Sequence, residues 1–287
     1  MNRRNERAIE TLLLVSACCS VAVVVLITYF VFSQGLPVFR AKGALSVLLG
    51  RTWEPMAGVY GLLPMVIGSL AVTAGALVLG VPLGVACAVF FAEVGPPRLT
   101  SAMRPWIQLL GGIPSVVYGF FGIVVVVPLV RDYIGGFGFS TLTASIILAI
   151  MILPTVINVS EDAIKAVPDE YREGSYALGA TRWQTMWRVV LPAARSGIAA
   201  GVVLGMGRAL GETMAVIMVA GNSPAMPRLP SMLLEPIRTL TGNIAVEMSY
   251  ASGDHQRALF ATGVVLFFLI VVLNMATTLT VRRETRA

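Results

Sequence analysis

Six long apolar runs divide this chain, at about 9–33, 59–92, 106–130, 141–160, 197–220 and 257–281. Each can cross a hydrocarbon layer of ~30 Å, a distance that a helix covers in about 20 residues. Hydrocarbon offers no water to backbone amides, so such runs are confined to helices or closed barrels, and runs of this length are helical. The composition agrees: apolar residues make up 56% of 287 positions and charged residues 13%, with a mean hydropathy of +0.82. An ordinary soluble domain is thereby excluded. The reading is an all-α polytopic membrane protein with six transmembrane helices. The first run follows MNRRNER, is too long for a signal-peptide core and has no convincing small-residue cleavage site, so it reads as a retained helix.

Orientation follows from lysine and arginine in the connecting segments. With the N-terminus inside, the inner side carries Arg3, Arg4, Arg7, Arg98, Arg104, Lys165, Arg172, Arg182, Arg188, Arg195, Arg282, Arg283 and Arg286, thirteen in all. The outer side carries seven: Arg40, Lys42, Arg51, Arg131, Arg228, Arg238 and Arg257. The excess puts both termini in the cytoplasm. The formal charge of +6 then reports topology and not nucleic-acid binding, because the basic residues are spread over loops without interleaved aromatics. Cys18, Cys19 and Cys87 all sit in apolar runs and read as small hydrophobes with no disulfide framework. His255 alone makes no metal site and reads as an ordinary loop residue.

The fifth run, GIAAGVVLGMGRALGETMAVIMVA, carries Arg208 and Glu212 near its middle. A lone charge at the bilayer centre costs about 2.5–3.5 kcal/mol on insertion scales, so two in one helix need a use. Opposite in sign and four residues apart, they are expected on one helical face within reach of each other. Gly197, Gly201 and Gly205 share that stripe and let another helix approach closely, which turns the charges toward the bundle interior. Two accounts stay open at this point. Either the pair neutralises itself and fixes a packing register, or Arg208 is a fixed positive charge for an anionic solute with Glu212 holding it in place.

The third run, WIQLLGGIPSVVYGFFGIVVVVPLV, is expected to break near its middle at Gly111, Gly112 and Pro114, with Ser115 and Tyr118 just beyond. Irregular backbone at membrane depth must be buried in protein or face a water-filled cavity, so a packing kink and a break lining a pathway both fit. Pro82 and Pro154 read as simple kinks. In the longest inner loop, Asp169, Glu170 and Glu173 suit the first turns of a helix that stops at Gly179. Thr181 and Gln184 then form a capping box, followed by an apolar face of Trp183, Met186, Trp187 and Val190 before Pro192. Two short helices joined at a glycine are expected. They fit either an amphipathic anchor in the membrane interface or a docking element for a soluble partner.

The run EGSYALGATRWQTMWRVVLP, from Glu173 to Pro192, resembles the EAA loop of ABC importer permeases: Glu-Ala-Ala, three residues, Gly, nine residues, Ile-x-Leu-Pro. Glu173, Gly179, Leu191 and Pro192 match, Val189 stands for the isoleucine, and Gly174 and Ser175 replace the alanines with residues that are also small. GRALGETMAV, LGGIPSVVYGFFG and TWEPMAGVYGLLPMVIGSL are similar to segments of permeases of the phosphate-specific (Pst) importer. The Met-Ala-Val ending and the TWEP…YGLLP segment look like the C-type subunit more than its A-type partner. These resemblances run from about residue 52 to 281.

The resemblance implies a six-helix, type I importer permease fold of the MetI-like kind in a bacterial plasma membrane. It divides the chain into an N-terminal helix and outer loop at 1–58, a permease core at 59–281 with its coupling loop at 165–195, and a cytoplasmic tail at 282–287. It implies a companion A-type permease, an ABC ATPase dimer and an extracytoplasmic phosphate-binding protein, and a need for Arg208 and Glu212 in phosphate passage. Membrane lipid surrounds such a chain, and no nucleic acid is involved. No cofactor is expected on the chain itself. ATP and Mg would be used by the partner ATPase, since no G-x-x-x-x-G-K-[ST] loop is present. An A-type subunit, or a permease for another oxyanion, fits the same broad resemblance. A secondary anion transporter or channel would explain buried charges but has no reason to carry an EAA-like loop, and inverted repeats are not evident. A membrane enzyme would need a catalytic cluster that one histidine and no metal-ligand spacing do not supply.

Overall fold

In the computed structural model, which describes residues 3–228 and 231–284, the six runs become six helices long and apolar enough to cross a membrane. They span Ile9–Lys42, Leu63–Val94, Ser115–Tyr133, Thr141–Lys165, Arg182–Gly211 and Gly253–Thr277. The expected tail at 282–287 runs past the last described residue, so residues 285–287 lie outside the description.

The chain opens with α1 (Arg3–Lys42) and a short α2 (Ala44–Leu49). A minimal antiparallel hairpin of β1 (Trp53–Glu54) and β2 (Val59–Tyr60) pairs Trp53 with Tyr60. It leads into α3 (Leu63–Val89), which has Pro64 in its first turn, where a missing N–H costs nothing. A π-helical turn, Phe90–Val94, extends that span. Next come α4 (Pro97–Gly112), α5 (Ser115–Phe121) and α6 (Val127–Tyr133), the last two joined by a π-helical turn at Gly122–Val126. Helix α7 (Thr141–Lys165) starts under a cap in which Ser140 Oγ accepts from Thr143 N at 3.3 Å. The second half contains α8 (Asp169–Ala177), α9 (Arg182–Thr185), α10 (Leu191–Gly211), α11 (Met214–Val219), α12 (Leu240–Glu247) and α13 (Gly253–Glu284). Pro82 and Pro154 lie within the continuous helices α3 and α7.

The spans are not equally enclosed. Over its most apolar stretch α7 is 61% buried and α1 is 0% buried, so α7 forms the centre and α1 an outer layer. Val72 and Ala76 of α3, Ile147, Met151 and Val156 of α7, and Ala209 of α10 build the central cluster. Glycine sets how closely the helices approach. A Cβ at Gly84 of α3 would lie 2.8 Å from Val156 Cγ1, and one at Gly205 of α10 would lie 3.0 Å from Val156 Cγ2. Gly201 faces Ser160 and Val159, and Gly197 faces Ala163, so the glycine stripe lies against α7 as expected. Helix α1 touches α13 through edge-on rings, Phe30 with Phe260 at 5.4 Å and Phe32 with Phe267 at 5.5 Å.

Two expectations are corrected by the fold. The break in the third run sits at the start of the span, not in its middle: residues 106–112 belong to α4, a largely exposed helix that also carries Arg98 and Arg104. Pro114 forces Ile113 into extended backbone (φ −67, ψ 129), and helix resumes only at Ser115. His255 is not an ordinary loop residue. It lies in the first turn of α13, with Nε2 2.8 Å from Glu247 Oε2. The buried Glu247 carboxylate also accepts from Trp53 Nε1 at 2.9 Å and pairs with Arg238. Arg238 in turn donates to the Asn222 carbonyl at 2.9 Å and to Asn243 Oδ1 at 3.1 Å. The network ties together the hairpin, Asn222, Arg238, α12 and α13 at one end of the bundle. Helix α8 lies at the other.

Candidate substrate route and docking loop

Arg208 and Glu212 do not form the expected pair. An i, i+4 contact needs continuous helix, and α10 ends at Gly211, with Glu212 in extended backbone (φ −70, ψ 128). Glu212 turns forward: its Oε1 accepts from Ala215 N at 3.2 Å at the start of α11, where exposed amide donors favour a carboxylate. Its backbone carbonyl accepts from Thr241 Oγ1 at 3.1 Å. Arg208 turns sideways instead, placing Nη1 3.4 Å from Thr155 Oγ1 on α7. No carboxylate pairs with Arg208 among the described residues.

The structure brings part of the broken third run to this place. Tyr118 is buried, and its hydroxyl donates across the break to the Leu110 carbonyl at 2.7 Å, satisfying an end carbonyl of α4. A Cβ at Gly111 would lie 3.5 Å from Pro154, next to Thr155, whereas Gly112 faces open space. Gly111, Gly112 and Pro114 are exposed and Ser115 is half-buried. Beside Glu212, Ser69 and Thr73 of α3 meet Thr239 and Thr241 in a polar crevice with no room for a water molecule. Sequence reasoning passed over Thr155, Ser69, Thr73 and Thr241. The available signal was a hydroxyl on an otherwise apolar helix face, but a hydroxyl bonded within its own helix gives the same signal.

The loop holds its expected local geometry with one difference. Gly179 has φ +83, a left-handed turn that favours glycine, and its N–H donates to the Tyr176 carbonyl at 2.9 Å. The capping box is complete: Thr181 Oγ1 accepts from Gln184 N at 3.3 Å, and Gln184 Oε1 accepts from Thr181 N at 2.8 Å. The second helix does not stop before Pro192. A π-helical turn, Met186–Val190, carries it into α10 past Pro192, which has no N–H to donate, so Arg182–Gly211 runs as one span. Glu173 and Gly174 are exposed, Ser175 Oγ lies 2.9 Å from Thr185 Oγ1, Leu191 is half-buried and Pro192 is exposed. Leu178 is 90% exposed, and Trp183 and Trp187 stack edge-on at 5.6 Å on the open side. Those apolar groups are left uncovered by the described residues.

Residues 80–286 match the family of binding-protein-dependent transport system inner membrane components. The chain belongs to that family. This permease-family chain is 41% identical over 273 residues to the probable ABC transporter permease protein YqgH of Bacillus subtilis (strain 168), covering 91% of this chain and 87% of the relative. It is 36% identical over 260 residues to the phosphate transport system permease protein PstC of Pasteurella multocida (strain Pm70), covering 83% and 80%. Among solved structures it is similar to a bacterial alginate ABC transporter in complex with its pentasaccharide-bound periplasmic protein, at a TM-score of 0.65 and 17% identity, over 96% and 94% of the two chains. It is also similar to the inward-facing MetNI methionine ABC transporter, at a TM-score of 0.59 and 22% identity, over 81% and 99%. At these identities the likeness shows the fold, which is the importer-permease fold implied by the loop motif.

Proposed function

We propose that this chain is the C-type permease of an ATP-driven importer of inorganic phosphate. The observation that carries the reading is Arg208, a guanidinium inside the bundle whose side-chain hydrogen bond goes to a neutral hydroxyl and not to a carboxylate. Arginine stays charged in proteins, and a charge held at membrane depth marks a solute path or its counter-ion. A tetrahedral anion supplies the negative oxygens that the planar fork lacks here. Similarity to PstC supports phosphate as the anion and favours the C-type over the A-type subunit.

Passage follows alternating access. Glu212 and its hydroxyl-lined crevice act as the gate, a reading supported by a crevice without room for water at the break between α10 and α11. Tyr118, Ser115 and the backbone at Gly111, Gly112 and Pro114 line the approach to Arg208. The stretch with Glu173, Gly174, Ser175, Gly179, Leu191 and Pro192 couples to an ABC ATPase dimer that binds ATP and Mg, and this chain holds no cofactor. The thirteen-to-seven division of basic residues supports a cytoplasmic α8 end with both termini on that side. The hairpin end then meets an extracytoplasmic phosphate-binding protein, and an A-type permease completes the transmembrane pair.

Phosphate uptake in cells carrying the full set of subunits tests the route. Arg208→Gln is expected to lower uptake roughly tenfold or more while the complex still assembles, since a charge-assisted contact to the anion is lost. Uptake at the parent level would remove Arg208 from the path. Unchanged sulfate and reduced phosphate uptake would also tie the site to the named anion.

A further inference from the structure

Helix α8 buries none of its own residues. A nine-residue helix has little stability of its own in water, and surface helices are ordinarily fixed by an apolar face laid on the core. Here one half-buried side chain takes that role. Arg172, 15% exposed, donates to Glu93 Oε1 from Nη2 at 2.6 Å and from Nε at 3.2 Å. Glu93 lies in the final π-helical turn of the second span and is itself only 17% exposed. The same guanidinium donates to the Val167 carbonyl at 2.6 Å and the Ile164 carbonyl at 3.1 Å, just past and within the last turn of α7. Both carbonyls lie at the C-terminal end of α7, the negative pole of its dipole, where a cation is favoured. A further contact reaches the exposed Asp169 at 3.2 Å.

We propose that Arg172 is a positioning residue that transmits displacement of α8 to the second and fourth spans. This rests on reading α8 as the ATPase-docking element. The guanidinium grips three rigid pieces at once: α8 through its own backbone, the end of α3's span through Glu93, and the end of α7 through two carbonyls. The other holds on α8 are the backbone links at 166–168 and 178–181, the Ser175–Thr185 contact, and packing beside α9 and the π-helical turn 186–190, none of which ties it to the ends of both the second and fourth spans. Lysine cannot replace the fork, because a single ammonium does not reach a carboxylate and two separated carbonyls in fixed planar geometry. The two charges are largely withdrawn from water, so each depends on the other for compensation. Helix α7 is the most enclosed span and holds Thr155 against Arg208, so a pull on its end reaches the candidate route.

The test uses the complete importer in proteoliposomes, with three readouts: retention of the ATPase, ATP hydrolysis, and phosphate moved per ATP hydrolysed. Glu93→Gln keeps the shape and removes the charge, Arg172→Gln removes the fork, and Arg172→Lys keeps the charge alone. All three are expected to retain the ATPase and hydrolyse ATP. Phosphate moved per ATP should fall about tenfold in Glu93→Gln and Arg172→Gln, within the range by which coupling residues act, with Arg172→Lys between them and the parent. The double variant should be no worse than either single one, because both remove the same contact. Parent-level coupling in Glu93→Gln, or losses that multiply in the double variant, would overturn the clamp. Loss of the ATPase from Glu93→Gln would overturn it too, since Glu93 would then be supporting the docking face and not transmitting movement. If the parent itself fails to retain the ATPase, the docking reading falls first. Full retention with full coupling in Glu93→Gln sinks the clamp alone.

Discussion

The two ends of the bundle are held by opposite means. At the hairpin end, Glu247, 5% exposed, gathers Trp53, Arg238 and His255 onto one carboxylate, and the distant hairpin is locked to the 238–255 region through desolvated polar contacts. At the α8 end, a helix with no buried residue rests on Arg172, and Tyr171, Leu178, Trp183 and Trp187 stand in the open. Buried networks lose much when one member is removed, whereas an exposed apolar patch loses little until a partner covers it. The contrast separates an end locked by a buried polar network from one with an open apolar surface.

The largest effect is expected where the network is most enclosed. Glu247→Gln leaves Arg238 without its counter-charge and should destabilise the permease by roughly 3 kcal/mol, read as the denaturation midpoint in detergent micelles. An unmoved midpoint would erase the difference between the ends. Thr181→Ala removes one half of the capping box and should cost about 1 kcal/mol, confined to the loop and visible as faster amide exchange over 182–187. Exchange spreading into α7 would mean that the loop and the core unfold together. Leu178→Ser should change stability by no more than about 0.5 kcal/mol, as for an exposed position, and yet weaken retention of the ATPase. A midpoint shift as large as that of Glu247→Gln would place Leu178 in the structural frame and refute the open-end description.

Features that depend on near neighbours were readable in advance. The glycine stripe at 197, 201 and 205 faces a close helix, Gly179 adopts the left-handed turn, and the Thr181–Gln184 box closes, because spacing along one helix or turn carries each of them. Features that depend on where a helix ends were misread. The Arg208–Glu212 spacing implies a contact only if helix continues past Gly211, and the loop's second helix is short only if it ends before α10 begins. His255 gave no local signal, and the local Asp169 pairing of Arg172 did not point to Glu93. Their partners Glu247, Glu93, Ile164 and Val167 lie eight, 79, eight and five residues away, on elements that only packing brings near.

By itself the sequence determined the membrane class, six crossings, a break in the third run, and a loop with a helix, a glycine turn and a capped restart. Backbone amides must be satisfied within each span and within each turn, so these choices are local. Tertiary structure decided that Arg208 meets Thr155 and not Glu212, that Glu212 caps α11, that Glu247 anchors the hairpin end and that Arg172 anchors α8. A side-chain charge in a low-dielectric bundle takes the partner that folding brings within about 4 Å, and chain spacing does not encode that distance once a helix breaks.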